Sequence, residues 1–384
     1  MIALDLPTGL DADTGRPLAG GFVQRADLTV AFAHLKPAHV LYPGRALCGT
    51  IEVVDIGVEP MPSSNAMTLA TEAVIASLLP RRKPTAHKGE AGRVLAVGGS
   101  AGLTGAIVLA SMSALRAGAG YVTAAVPESV NDAIESAMIE AMTWPLPEAP
   151  ERSLGVSAAP MIVARAREVQ ALALGPGLSR APESAELARR IVAESPAPVV
   201  LDADGLNAFA GKAELLVQAR RRSPLVMTPH LGELARLTGM TASQLEEGRL
   251  DVARRFAKEW GAVLVMKGAP TVVASPEGEA TVNPTGNPGM ATIGMGDVLT
   301  GVISAFLAQG LAPYDAARAG VYVHGLAADL AHARVGTLGL VAGDVTAALP
   351  QALDRLSRAG TRSDVEPLPQ TRSAPAASDG IRSA

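Results

Sequence analysis

The sequence predicts an α/β protein whose central, mostly parallel sheet is covered by helices on both faces. Three observations carry that prediction. Apolar runs such as GRVLAVGG, ALALG, APVVLDAD, PLVMTP and AVLVMKG are continuous rather than alternating, as strands buried on both sides require. Segments with helical spacing stand between them, which is the alternation of a parallel sheet. Polar residues fall just after the strands: Asp202 and Asp204 after PVVL, His230 after LVMTP, Lys267 after AVLVM, and Asp297 after a glycine turn. Open parallel sheets gather ligands at those carboxyl ends.

Taken in order, residues 1–58 hold two or three short apolar runs, IALDL, ADLTVAF and GTIEVVDI, between turns rich in Gly, Pro and Asp. So short a piece cannot close its own core and reads as the tail of a larger domain whose front is missing. PMPSSNAM resembles a linker, which sets residues 59–67 apart. From 68 the helical pattern LATEAVIASLL leads into strand GRVLAVGG, helix GAIVLASMSALRAG, strand YVTAAV and the remaining strands, ending at 357. Lys267 closes a buried strand and opens a hairpin that turns at PEGE. In TGNPGMATIGMGDVLTGVISAF, residues 285–306, a glycine turn runs into a helix with Val298, Leu299, Val302, Ile303 and Phe306 at helical spacing. Residues 358–384 lose hydrophobic periodicity and fill with Ser, Ala, Pro and Arg, so a disordered tail is expected.

Composition excludes several classes. With 384 residues, 48% hydrophobic and 18% charged, the chain can bury a large core. A net charge of -4 argues against nucleic acid and anionic membranes as partners. The short basic runs RRK at 81–83 and RRR at 220–222 read as solvated ends. Cys48 is the single cysteine, so no internal disulfide or cysteine metal cluster can form. With neither a signal peptide nor a membrane-length apolar run, a cytoplasmic protein is expected. The six histidines, at 34, 39, 87, 230, 324 and 332, lack metal-ligand spacing, and none is assigned to a metal.

The plainer reading of Asp297 is a helix N-cap. Its glycines at 286, 289, 294 and 296 favour another: amides flanked by Gly294 and Gly296 form a nest for an anion such as a phosphoryl group in transfer. A carboxylate beside that nest could take the proton from an attacking hydroxyl. No GxxxxGK[ST] occurs, and GGSAG at 98–102 lacks dinucleotide spacing. Lys267 is either a solvated strand end or a charge beside a nucleotide's phosphates, and His230 either structural or a ligand contact. Asp202 and Asp204 could pair as acid and base, but DADG reads better as a turn with a supporting role.

HKGEAGRVLAVGGSAGLTGA, ALALGPGL, VVLDADGLNAF, TPHLGELARL, MKGAPT and NPGMATIGMGD, in this order, resemble the dehydratase half of the NAD(P)H-hydrate repair enzymes, which share the ribokinase-like fold. The resemblance covers about residues 68–357, and LDLPTGLDADTG through GTIEVVDIGV is similar to the closing strands of the fused epimerase half. It implies conversion of the S form of hydrated NADH or NADPH back to the coenzyme. ADP would be consumed with release of AMP and phosphate, or ATP as in eukaryotic relatives, with Mg2+ accompanying the nucleotide. It implies hydrate contacts at Ala106, Gly177, His230 and Asp297, with Asp297 as catalytic base. Lys267, Gly268, Ala269, Pro270, Thr271 and Gly296 would bind the nucleotide, and the protein would form a homo-oligomer. Asp5 and Thr8 match the epimerase's hydrate-binding aspartate and a potassium-ligand position usually held by serine, but the rest of that site would precede residue 1, so no epimerase activity is expected.

The family often writes GGSGD or GGTGD where this chain has Ile293 and Met295 in TIGMGD. Ile293 would be strained at positive φ, and Met295 removes a hydroxyl, yet a nest of backbone amides would survive with altered nucleotide affinity. Two rivals use the same residues: a ribokinase-like kinase acting on a small alcohol or vitamin precursor, and a non-catalytic nucleotide-binding protein. Retention of Asp297 speaks against the second.

Overall fold

Two main sheets are built along the chain, which the structure, a computed structural model, describes over residues 1–18, 21–58, 67–217 and 221–362. The first is parallel and three-stranded, in the order β1 (Ile2–Leu4), β2 (Leu28–Phe32), β3 (Thr50–Val54). Two short helices, α1 (Pro37–Val40) and α2 (Gly44–Leu47), lie between β2 and β3. One face buries Ala3, Thr29 and Ala31, and the Thr29 hydroxyl donates to the Cys48 carbonyl at 2.7 Å. The other face leaves Ile2 and Leu4 about two thirds exposed. The piece does not stand alone, however: Leu41, just after α1, is buried in the same apolar cluster as Leu264, Met266 and Val282 of the larger sheet.

That larger sheet follows in chain order: β4 (Met67–Leu69), α3 (Glu72–Leu78), β5 (Arg93–Val97), α4 (Thr104–Arg116), β6 (Tyr121–Pro127), α5 (Asn131–Ala137) and β7 (Met142–Leu146). A small hairpin, β8 (Glu148–Ala149) with β9 (Ser153–Leu154), precedes α6 (Ala159–Arg165), β10 (Ala171–Leu174), α7 (Pro182–Glu194), β11 (Val199–Leu201) and α8 (Ala203–Asn207). Then come β12 (Leu225–Met227), α9 (Leu231–Thr238), α10 (Ala242–Glu247), α11 (Arg249–Trp260) and β13 (Val263–Met266). The hairpin β14 (Thr271–Ala274) and β15 (Ala280–Asn283) leads to α12 (Met295–Ala308), α13 (Pro313–Val335) and α14 (Ala342–Arg362). The ten strands run β4-β15-β14-β13-β12-β11-β10-β5-β6-β7, parallel except where β14 meets β13 and β15. Both faces are covered. In β11, Val200 joins the core under α12 and α13, while Val199 and Leu201 join the core under α7 and α11. Full burial of such side chains stabilises by roughly 2 kcal/mol each, which is why these runs are continuous rather than alternating.

Four sequence expectations change. Met67 begins a strand that pairs in parallel with β15, so the larger unit starts with a strand before its helix; residues 59–66 lie outside the described residues. β7, in MTWPL, was not anticipated, because Pro145 argues against a strand until it sits at the sheet's edge. Helix α14 continues to Arg362, past the expected boundary at 357, and the remainder of the expected tail is outside the described residues. Arg221 is no solvated end: its guanidinium donates to the carbonyls of Leu216 and, at 2.8 Å, Gly261, and burial pushes it down to about 10.

Candidate active site

The adjacency of β11, β12 and β13 brings three strand ends together, and α12 starts over them. Asp202 follows β11 at the N-cap position of α8, yet its carboxylate does not cap that helix. Its Oδ1 accepts from the Lys267 ammonium at 2.8 Å and its Oδ2 from the Thr300 hydroxyl of α12 at 2.9 Å. DADG is therefore no turn: the chain passes into α8 and Asp202 is left inside, 1% exposed. Burial alone would raise Asp202, but the Lys267 charge and hydrogen bonds from Lys267, Thr228 and Thr300 hold it below the usual carboxylate range. Burial likewise works against the Lys267 charge, and the charges of Asp202 and Glu233 more than offset it. Lys267 is thus neither a solvated strand end nor a free cation.

Asp297 sits in the first turn of α12, whose N-cap is Gly294 at φ 91° and not a side chain. A Cβ on Gly294 would lie 2.7 Å from Leu109 of α4 and 2.9 Å from Ala342, so this turn admits only glycine. Gly296 rests on the ion pair: its Cβ would meet Lys267 Nζ at 3.1 Å and Asp202 Oδ2 at 3.2 Å. The start of α12 thus lies directly over the Lys267–Asp202 pair, and the free amides of a helix start favour an anion. Burial, then the Asp202 charge, pushes Asp297 up to about 7, with Lys267 opposing. A carboxyl that titrates there can take and release a proton near neutrality. Ile293 is not at positive φ and is 92% exposed, so the expected strain is absent; Met295 is buried as the first helical residue.

The substrate residues read from the sequence divide. Gly177 and Ala106 meet: a Cβ on Gly177, at φ 63°, would be 3.3 Å from the Ala106 Cβ. Ala106 lies one turn before Leu109, the residue against Gly294, which sets both beside the start of α12. His230 does what its plainer reading says. Its Nδ1 accepts from the amides of Gly232 at 2.9 Å and Glu233 at 3.3 Å, capping α9, and burial followed by Lys267 holds it below the ordinary histidine value. Its ring is still 55% exposed at the strand ends. In the loop after β13, the Thr271 hydroxyl donates to the Gly268 carbonyl at 3.1 Å, while Gly268 and Ala269 are exposed and Pro270 half-buried. Asp5 and Thr8 lie elsewhere, at the end of β1, with Asp5 paired to Lys36 and Thr8 exposed.

Sequence reading missed Glu233. Its Oε2 accepts from the His230 amide at 2.9 Å and lies 3.8 Å from Lys267 Nζ, and burial, against the pull of Lys267, raises it to about 7. The signal was there: a capping residue followed three positions on by Glu, in HLGE. Thr300 and His324 carried no signal, being inner-face residues of α12 and α13. His324 Nε2 has no hydrogen-bond partner among the described residues, and burial followed by Lys267 pushes it down to about 4, so it stays neutral. Among the described residues no group of three His, Cys, Asp or Glu side chains is arranged to hold a metal.

Comparison with known proteins adds the family. A profile described as NAD(P)H-hydrate dehydratase matches residues 94–351. A bifunctional NAD(P)H-hydrate repair enzyme of Moorella thermoacetica is 48% identical over 361 residues, 92% of this chain and 67% of its own length. An ADP-dependent (S)-NAD(P)H-hydrate dehydratase of Neisseria meningitidis is 38% identical over 279 residues, 72% of this chain and 90% of that one. The crystal structure of an ADP/ATP-dependent NAD(P)H-hydrate dehydratase from Bacillus subtilis, co-crystallised with ATP and Mg2+, matches with TM-score 0.65 at 30% identity. It covers 75% of this chain and 98% of its own. The chain spans about two thirds of the bifunctional relative's length.

Proposed function

The chain belongs to the NAD(P)H-hydrate dehydratase family, and on that premise we propose that it dehydrates the S form of hydrated NADH or NADPH, consuming ADP and releasing AMP and phosphate. The observation that carries the reading is the stacking of Gly296 on the Lys267–Asp202 pair, beside a carboxyl that titrates at about 7. Asp297 takes the proton of the ring hydroxyl, whose oxygen attacks the terminal phosphorus while the bond to the nucleotide's bridging oxygen breaks. The amides of the α12 start steady the transferred group. The ring nitrogen's lone pair then expels phosphate, a far better leaving group than hydroxide, and loss of a proton from the neighbouring carbon restores the dihydropyridine. Ala106 and Gly177, which pack together, form the wall of the hydrate's site, and His230, whose ring is half-exposed, contributes a further contact; the loop Lys267–Thr271 and Gly296 hold the nucleotide.

Mg2+ fits this donor set only as a companion of the nucleotide. It would be held chiefly by the nucleotide's phosphates and by water, leaving Asp297 free as the base. When bound it neutralises phosphate charge. In the same reading residues 1–58 are epimerase-like, with Asp5 and Thr8 as the epimerase's counterparts, and a dehydratase unit opened by Met67 follows. Residence in the cytoplasm and assembly into a homo-oligomer belong to the same reading. No helix among the described residues is long and apolar enough to cross a membrane.

Incubation with hydrated NADH and either ADP or ATP tests it. Recovery of nicotinamide absorbance with stoichiometric phosphate is the expected result. A stable phosphorylated product would mark a kinase instead, and no turnover with intact nucleotide binding would mark a binding protein.

A further inference from the structure

Arg249 is the first residue of α11, where a cation opposes the helix dipole, yet it is only 4% exposed. Glu246 of α10 holds it from one side, with Nε to Oε2 at 3.0 Å and Nη2 to Oε1 at 2.6 Å. Its Nη1 donates to the Pro270 carbonyl at 3.0 Å and reaches the Met266 carbonyl at 3.4 Å, the two residues that bracket Lys267, Gly268 and Ala269. Gly268 lies against the guanidinium: a Cβ there would come within 2.4 Å of Nη2 and 2.7 Å of Nη1. The helix gains nothing electrostatically from this arginine, and burying a guanidinium is costly unless its donors are satisfied. Its planar fork is the chemistry that reaches a carboxylate and two carbonyls together, which an ammonium cannot do.

We propose that Arg249 is a positioning residue for the nucleotide, clamping both ends of the loop that carries Lys267, with Glu246 holding the clamp. The inference rests on the reading of that loop as nucleotide-binding. In that role the arginine touches neither substrate. It sets the direction in which the exposed Gly268 and Ala269 present their backbone, and it requires glycine at 268 because any side chain would displace the fork.

The test is calorimetric titration of ADP into the parent, R249M, R249K and G268A, with melting curves and hydrate kinetics alongside. R249M should weaken ADP binding on the order of tenfold, as loss of a charge-assisted hold on the loop implies. KM for ADP should rise far more than kcat falls, and KM for the hydrate should hold. R249K, with charge but no fork, should resemble R249M. G268A should weaken ADP binding too, since an alanine there is strained and meets the guanidinium. Parent-like ADP affinity in R249M overturns the proposal, as does equal loss of ADP and hydrate affinity, which marks a merely structural arginine. If R249M does not fold, R249K carries the same expectation, and failure of both to fold also overturns it. A parent that binds no ADP removes the nucleotide reading and this inference together; a binding parent with unaffected variants removes this inference alone.

Discussion

Each of the two sheets ends one of its strands in an aspartate paired with a lysine, and the two pairs behave oppositely. Asp5 and Lys36 are about a third exposed, and Asp5 also accepts from the Phe32 amide at 3.0 Å. Slight burial pulls Asp5 upward, but the Lys36 bond and the Phe32 amide leave it below its ordinary value. The side chains of Asp202 and Lys267 are 2% and 20% exposed, and they neutralise one another inside the larger sheet. The carboxyl next to them, Asp297, is left with burial and a like charge outweighing the one nearby cation, and so rises to about 7. The difference is one of cover. A sheet clothed on both faces buries its strand ends, whereas the three-stranded sheet, with Ile2 and Leu4 bare, leaves its own in water.

The sharpest way to break this contrast is at the two carboxyls. Asp297→Asn should lower kcat by about a thousandfold while ADP affinity stays within a few fold, because the amide keeps the shape but accepts no proton. A kcat within tenfold of the parent would remove Asp297 as base. Asp202→Ala should cost about 3 kcal/mol in denaturant unfolding, since it strands a buried ammonium, tempered by Glu233 at 3.8 Å. It should also move the acid limb of kcat/KM, otherwise centred near pH 7, to lower pH, because one negative neighbour of Asp297 is gone and its cation is released.

Stability against pH gives a third measure. Asp297 rises from 3.8 unfolded to about 7 folded, so the native state binds the proton more tightly and loses stability as pH climbs between those values. Asp297→Asn escapes that loss. Its advantage should be small at pH 4 and on the order of 4 kcal/mol at pH 8, and a constant difference across that range would contradict a raised Asp297. The smallest effect is expected at the other pair: Asp5→Asn should leave dehydratase kcat and the acid limb within about twofold, and a larger change in the pH profile would mean that the two sheets are electrostatically joined.

What could be read from residue order alone was local. Continuous apolar runs announced strands covered on both faces, and Val298 to Phe306 at helical spacing announced α12. Gly294 announced a turn that no side chain can occupy, since positive φ and close packing are demands on a single position. Strand-end residues could be named for the same reason: Asp202 and Lys267 directly follow their strands, and His230 comes after Thr228 and Pro229 at the end of its own. Which of them would meet was another matter. Lys267 and Asp202 are 65 positions apart, and Thr300 and Asp202 are 98 apart. Only the order β11, β12, β13, with α12 laid across it, joins them. Sequence therefore determined the strands, the glycine turn and the residue types at the strand ends, because propensity, periodicity and backbone freedom act over a few residues. Tertiary structure alone decided that Lys267 would be neutralised by Asp202, that Glu233 would stand beside it, and that Asp297 would titrate near 7, because burial and charge pairing depend on distances that only the packed sheet sets.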